Sequence, residues 1–281
     1  MSENVRAGIA QWTPDRDPGV NLGTAEAAVR ELARRGCQLA LLPELWLCGY
    51  RAASLSADAR AAAEPIYGPV QRRLAELAGV TGVVLCAGTF PELDGGQLFN
   101  TAVVYGPAGN LLLRHRKVQP EVFRPGDTVT TGDVAGIGRV GLCVCFDGDF
   151  PETARALRVA GADLVLHPSA YEAAAERWWD TIYPAQALCN GQWWISANQH
   201  GGGPADRMLG GSRVIAPDGR TVAAAPRHRD LVTAPELLVV DLAVDDELAA
   251  SAASAGMLWS AAAPTPVLSS PPPARMTEEI S

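Results

Sequence analysis

Short apolar runs and amphipathic stretches alternate along the chain. Residues 5–12 form an apolar run that predicts a strand. Residues 24–35 carry apolar positions at helical spacing, with Thr24 as a candidate N-cap and Gly36 as a stop. A second strand is predicted over 38–42, ending at Pro43-Glu44. Residues 69–78 place Val70, Leu74, Leu77 and Ala78 at helical spacing, and Gly79 follows. A third strand is predicted over 82–90. The runs 101–105 and 111–118 flank Gly106-Pro107-Ala108-Gly109-Asn110, which reads as a hairpin turn.

The second half runs through a similar cycle. A strand pair near 133–145 leads to a helix over 151–160, a strand over 163–167, a helix over 178–189 and a strand over 193–197. A hairpin follows, 212–216 with 221–225, turned by Pro217-Asp218-Gly219, and then a last strand over 236–242. This alternation predicts an α/β fold. Each half supplies strands, two helices and a hairpin, so two similar halves can pack sheet against sheet with helices outside. No repeat aligns between them. Residues 1–250 read as one domain. Residues 251–281 are rich in Ala, Ser and Pro, with Pro271-Pro272-Pro273, and read as a tail that is disordered or wraps a partner subunit.

Composition narrows the function classes. The chain has 281 residues, of which 48% are hydrophobic, enough for a packed core. Its net charge of −8 comes without a basic cluster, which argues against nucleic-acid binding by phosphate neutralisation. No uninterrupted apolar run is long enough to span a membrane. The N-terminus enters a strand without a basic segment and apolar stretch, so no signal peptide is expected and the cytoplasm is the expected location. Six cysteines and four histidines are scattered without CxxC pairs or metal-ligand spacing, so neither a disulfide framework nor a structural zinc is expected.

Three reactive groups end apolar strands, where α/β sheets display catalytic side chains. Glu44 follows Leu41-Leu42-Pro43 and precedes Leu45-Trp46. A carboxylate there is desolvated and suited to proton transfer, or it simply caps the next turn. Lys117 closes the run 111–118 behind Arg114, His115 and Arg116. It can stabilise an oxyanion, or belong to a solvated basic edge. Cys145 lies where the apolar strand Val140–Val144 breaks and a helix starts at Pro151-Glu152, the geometry of a nucleophile held on a sharp turn. A lone cysteine in an apolar run is otherwise a small core residue, the reading given to Cys143. No histidine is close in sequence to Cys145, so its base must come from elsewhere, and Glu44 is the natural supplier.

The three together resemble the nitrilase superfamily, the carbon–nitrogen hydrolases. The resemblance covers roughly residues 5 to 245 and rests on Leu-Leu-Pro-Glu44, Arg116-Lys117-Val118 and Cys145-Phe146-Asp147-x-x-Phe150-Pro151-Glu152. Gly49-Tyr50, Phe123-Arg124-Pro125-Gly126-Asp127, His167-Pro168-Ser169-Ala170, Asn198 and the stretch from Gly210 to Gly219 also fit. It implies a four-layer αββα sandwich and a homodimer or higher homo-oligomer paired through helices and C-terminal segments. It implies Glu44 as general base, Lys117 as transition-state stabiliser, Cys145 as nucleophile, the Phe146 N–H as an oxyanion donor and Glu121 as a second, supporting glutamate. The implied chemistry is hydrolysis of an amide or N-carbamoyl group through a thioester, with no metal or organic cofactor. Acyl transfer to an amine on the same scaffold, or a binding subunit without activity, stay open at this point.

The branch is read from departures. True nitrilases have Trp-Glu after the cysteine, whereas Phe146-Asp147 stands here, which favours amidase or carbamoylase chemistry. Carbamoyl amino-acid hydrolases often place an arginine shortly after the nucleophile to grip a substrate carboxylate. Gly148 and Asp149 occupy those positions, which argues against an anionic N-carbamoyl amino acid. Asp149 can instead receive a cationic amine, or cap the helix at Pro151. Tyr171 and Glu172 follow the strand expected to line the pocket and are candidate substrate contacts. Gln186-Ala187-Leu188-Cys189-Asn190 lacks the arginine and glutamate common in relatives, marking a divergent member. Trp178-Trp179 and Trp193-Trp194 read as core or dimer surface. Gly201-Gly202-Gly203 lacks the lysine and helix start of a phosphate loop and reads as a flexible rim.

Overall fold

The computed structural model describes residues 4–203, 206–227 and 234–244, so the 251–281 tail lies outside the described residues. The first half contains β1 (Val5–Gln11), α1 (Pro18–Arg34), β2 (Leu39–Leu41), α2 (Leu55–Ala61), α3 (Pro69–Thr81), β3 (Val84–Asp94), β4 (Gln97–Tyr105) and β5 (Leu111–Arg116). The second contains β6 (Thr130–Val134), β7 (Gly138–Leu142), α4 (Pro151–Val159), β8 (Leu164–Ser169), α5 (Glu176–Asn190) and β9 (Trp193–Asn198). Short strands β10 (His200–Gly201), β11 (Met208–Leu209), β12 (Arg213–Ile215) and β13 (Thr221–Ala224) follow, and β14 (Glu236–Leu242) comes last.

Two six-stranded sheets result, ordered β14-β1-β2-β3-β4-β5 and β13-β12-β9-β8-β7-β6. Alternate residues of each strand face opposite layers. Ala7, Ile9, Leu39 and Leu41 of the first sheet share one core with Leu142, Leu164, Leu166 and Ile195 of the second. Ala10, Ala40, Leu85 and Val103 instead pack on Val29 and Leu32 of α1 and Leu74 and Leu77 of α3. Helices thus flank a pair of facing sheets. The parallel strands β1, β2 and β3, and likewise β7, β8 and β9, are covered on both faces, which is why they read as unbroken apolar runs. Strand β14 crosses back to pair antiparallel with β1 at the edge of the first sheet.

Several boundaries differ from the sequence pattern. The first helix begins at Pro18, and Asp17, not Thr24, caps it by accepting from Gly19 N at 2.8 Å. Pro18 fits a first helical position because it has no N–H to satisfy. Thr24 lies inside the helix and donates back to Val20 O. The third helix runs through Gly79 and stops at Gly82, which adopts the left-handed conformation. The short helix α2 and the hairpin between β3 and β4 at Gly95-Gly96 were not legible in the periodicity.

Candidate active site

Glu44 sits on a turn just past β2. Leu42 N still bonds to Cys86 O, but Pro43 breaks the ladder and Leu45 takes a left-handed φ of 46°. The bulge in β3 at Ala87-Gly88 receives this turn: a Cβ on Gly88 would lie 2.0 Å from Pro43 O. Only glycine fits there. Thr89 Oγ1 then accepts from Leu45 N at 2.9 Å, and Gln199 Nε2 donates to Glu44 O at 2.6 Å. The carboxylate itself is fully buried. Its Oε1 accepts from Asn100 Nδ2 at 2.7 Å and Lys117 Nζ at 2.8 Å, and its Oε2 from Ala170 N at 3.0 Å.

Lys117 follows the last residue of β5, with its N–H bonded to Asn100 O. Strand alternation decides its fate. Arg114 and Arg116 point outward to Glu92 and Asp94, with Arg116 also over the Phe99 ring. His115 and Lys117 point inward and are buried. The basic run is therefore an edge on one face only. Burial works against the Lys117 ammonium, but Glu44, then Cys145 and Asp147, outweigh it and hold the lysine above its ordinary pKa.

Cys145 opens a single turn of 3-10 helix, Cys145–Asp149, between β7 and α4. Its φ is 46°, a left-handed conformation that costs an ordinary residue about 1–2 kcal/mol. Compensation comes from its carbonyl, which accepts from His167 Nε2 at 3.0 Å and lies 3.4 Å from Tyr183 OH. The other His167 nitrogen meets Ser196 Oγ at 3.0 Å. Burial lowers the His167 pKa to about 4, so the ring is neutral and its Nε2 is the donor to the carbonyl. Gly148 lets the turn sit on this cluster, because a Cβ there would meet Tyr183, Trp194 and His167 within 3.3 Å. Asp147, fully buried, accepts from Val118 N at 3.1 Å and Gln119 N at 2.6 Å, and so fastens the segment after Lys117 to the cysteine turn.

The thiol lies at a cavity of about 490 Å³, also lined by Lys117, Phe146 and Ala170. Burial pushes the Cys145 pKa well above its ordinary value and the Glu44 carboxylate, within hydrogen-bonding reach, pushes the same way; Lys117 opposes both. The resting group is therefore a protonated thiol beside a carboxylate. That arrangement suits proton removal during attack rather than a standing thiolate.

The structure brings Glu121, Phe146, Asp149, Tyr171 and Glu172 to the same cavity. Asp149 does not cap the helix at Pro151, a correction to one of its two sequence readings. The N-cap position is Phe150, without a side-chain cap bond, because the 3-10 turn carries Asp149 toward the cavity. There its two oxygens accept from Tyr183 OH at 2.6 Å and Tyr171 OH at 3.0 Å. Burial raises the Asp149 pKa, and the two phenols oppose that rise. Glu121 is exposed at the mouth and bonded to Tyr50. Trp179, Trp193 and Trp194 are buried, as the core reading expects, but Trp178 is 55% exposed and lines the cavity, which departs from the core reading for that residue.

Sequence reasoning missed Asn100, Tyr183 and Gln199. Asp147 and His167 were noticed as motif residues without a structural role. Alternation in 97–105 puts Asn100 opposite the lysine strand, a weak signal. Nothing local marks the contact of Tyr183 with a turn 38 residues away. Among the described residues no group of three or more His, Cys, Asp or Glu could hold a metal ion, and no helix is long and apolar enough to cross a membrane.

Comparison with known proteins agrees with this architecture. The chain is 30% identical over 239 residues to a nitrilase of Pyrococcus abyssi, covering 83% of this chain and 89% of that one. It is 28% identical over 245 residues to omega-amidase NIT2 of Xenopus tropicalis, covering 82% and 87%. Among solved structures, Nit3 of Saccharomyces cerevisiae shares the fold with a TM-score of 0.82 at 23% identity, covering 93% of this chain and 98% of that one. An amidase of Nesterenkonia sp. AN1, in a cysteine-to-alanine form in complex with butyramide, has a TM-score of 0.75 at 29% identity, covering 92% and 98%. A glutamate-to-glutamine mutant of that amidase shows covalent addition of the acetamide moiety of fluoroacetamide at its active-site cysteine. The sequence model of the carbon–nitrogen hydrolase family matches residues 6–243, and with two helix-flanked sheets converging on a buried cysteine, the chain belongs to that family, the nitrilase superfamily, and is a carbon–nitrogen hydrolase.

Proposed function

We propose that the enzyme hydrolyses the non-peptide C–N bond of a small amide or N-carbamoyl compound through a thioester on Cys145. The observation that carries this reading is the Glu44 carboxylate, held by Lys117 at 2.8 Å and in reach of the thiol at the cavity. Glu44 Oε1 is occupied by two donors, whereas Oε2 has one, from Ala170 N, and keeps a lone pair for the thiol proton. Glu44 takes that proton as Cys145 Sγ bonds to the carbonyl carbon. The oxyanion is received by Lys117, which retains two further N–H groups, and by the Phe146 N–H. The C–N bond breaks as Glu44 returns the proton to the leaving nitrogen. Glu44 then deprotonates water, which attacks the thioester; the acid departs and the thiol regains its proton. Losing one oxyanion donor costs on the order of 10²–10³ in rate. Glu121, tied to Tyr50, supports substrate at the mouth. The reading carries with it a cytoplasmic homodimer or higher homo-oligomer, as the family resemblance implies for subunit pairing.

The test is intact-mass spectrometry of the wild type and Cys145→Ala during turnover of a panel of amides and N-carbamoyl amines, with ammonia release followed in parallel. A transient acyl adduct on the wild type alone, with turnover, is expected. Equal turnover by Cys145→Ala would remove the nucleophile from the mechanism. Product that shifts from acid to a new amide when an amine is added would move the assignment to acyl transfer.

A further inference from the structure

The lining of the cavity at Cys145 is predominantly acidic. Glu121, Asp149 and Glu172 line it, and among the described lining residues the one cation is Lys117, which Glu44 already engages at 2.8 Å. Aromatic groups line the same cavity, including Tyr50, Tyr171 and the half-exposed Trp178. An aromatic face beside carboxylates attracts an ammonium group through the ring quadrupole as well as through charge.

Asp149 differs from a solvated surface acid. Each of its oxygens is fixed by a phenol hydroxyl, from Tyr183 at 2.6 Å and Tyr171 at 3.0 Å, and both donors are neutral. The carboxylate is thus oriented without being neutralised, and each oxygen keeps further acceptor capacity. Tyr183 OH also lies 3.4 Å from the Cys145 carbonyl, so the ring that orients Asp149 packs beside the cysteine turn. An anionic substrate end would meet three carboxylates and no free lining cation. A cationic end meets preorganised acceptors.

Building on the thioester hydrolysis proposed above, we infer that the substrate carries a cationic amine remote from the scissile bond. The enzyme therefore takes an amide or N-carbamoyl derivative of an amine-bearing compound in preference to neutral or anionic amides. Asp149 and Glu172 are its specificity-determining residues, and Trp178 provides the aromatic face.

The experiment compares kcat/KM at neutral pH for γ-aminobutyramide, butyramide and succinamate, which differ chiefly in the charge of the far end. The cationic amide is expected to exceed butyramide by about tenfold or more, with succinamate slowest. Asp149→Asn and Glu172→Gln are each expected to shrink the cationic-to-neutral ratio by about threefold or more. That ratio is taken within one protein, so any loss of folded enzyme cancels. Added salt is expected to narrow it. Butyramide turned over as fast as γ-aminobutyramide, or a ratio unmoved in both variants, overturns this inference and leaves the hydrolase reading standing. No turnover and no Cys145 adduct with any of the three overturns both.

Discussion

His167 gives the sharpest test of how the fold holds the proposed nucleophile, Cys145. Replacing it with Gln keeps an amide donor able to reach the Cys145 carbonyl but removes a titrating group from a fully buried site. In the folded chain burial holds the His167 pKa at about 4, against 6.5 in the unfolded chain. Between those values the unfolded state binds a proton that the folded state refuses. Stability therefore rises with pH across that window and is lost as pH falls from 6.5 to 4. At about 1.4 kcal/mol per pH unit the loss amounts to about 3 kcal/mol. For a chain of this size that corresponds to roughly 5 °C in melting temperature. The assay is thermal unfolding of wild type and His167→Gln at closely spaced pH values. Carboxylates titrate in the lower part of the window in both proteins, so the difference between the two curves isolates the histidine. The wild type is expected to be the more stable near pH 7, and its advantage is expected to shrink by about 3 kcal/mol on acidification to pH 4. Parallel curves would refute the argument, since they would mean that His167 is not held neutral by the fold.

Two further outcomes follow from the site. Lys117→Met leaves the Glu44 carboxylate buried without its cation and is expected to cost about 3–5 kcal/mol in urea unfolding, most of which the Glu44→Gln/Lys117→Met double variant should regain; an additive double variant would show that the pair is not coupled. Gly148→Ala places a methyl 2.8 Å from Tyr183 Cε1 and 3.3 Å from His167 Nε2. It is expected to lose about 1–3 kcal/mol of stability and about 10- to 100-fold in kcat/KM, and wild-type kinetics would show that the turn does not need this close packing.

The chain alone determined the α/β class, the two cycles of strands and helices, and the three positions where an apolar strand ends in Glu44, Lys117 and Cys145. These are local signals: strands covered on both faces must be apolar throughout, and a sharp stop leaves the next polar residue at the sheet edge. Boundaries failed where local composition misled, as at Asp17-Pro18, where glycines at 19 and 23 hid a helix. Only the tertiary structure decided that Glu44 and Lys117, 73 residues apart, share an oxygen at 2.8 Å. It also decided that Asp149 faces two tyrosines rather than the helix N-terminus, and that His167 steadies a left-handed cysteine with Tyr183 packed beside it. Those contacts join residues from separate strands and helices, and their register depends on sheet packing, a β-bulge at Gly88 and a 3-10 turn. Periodicity reports which face of an element is buried; it does not report what that face meets.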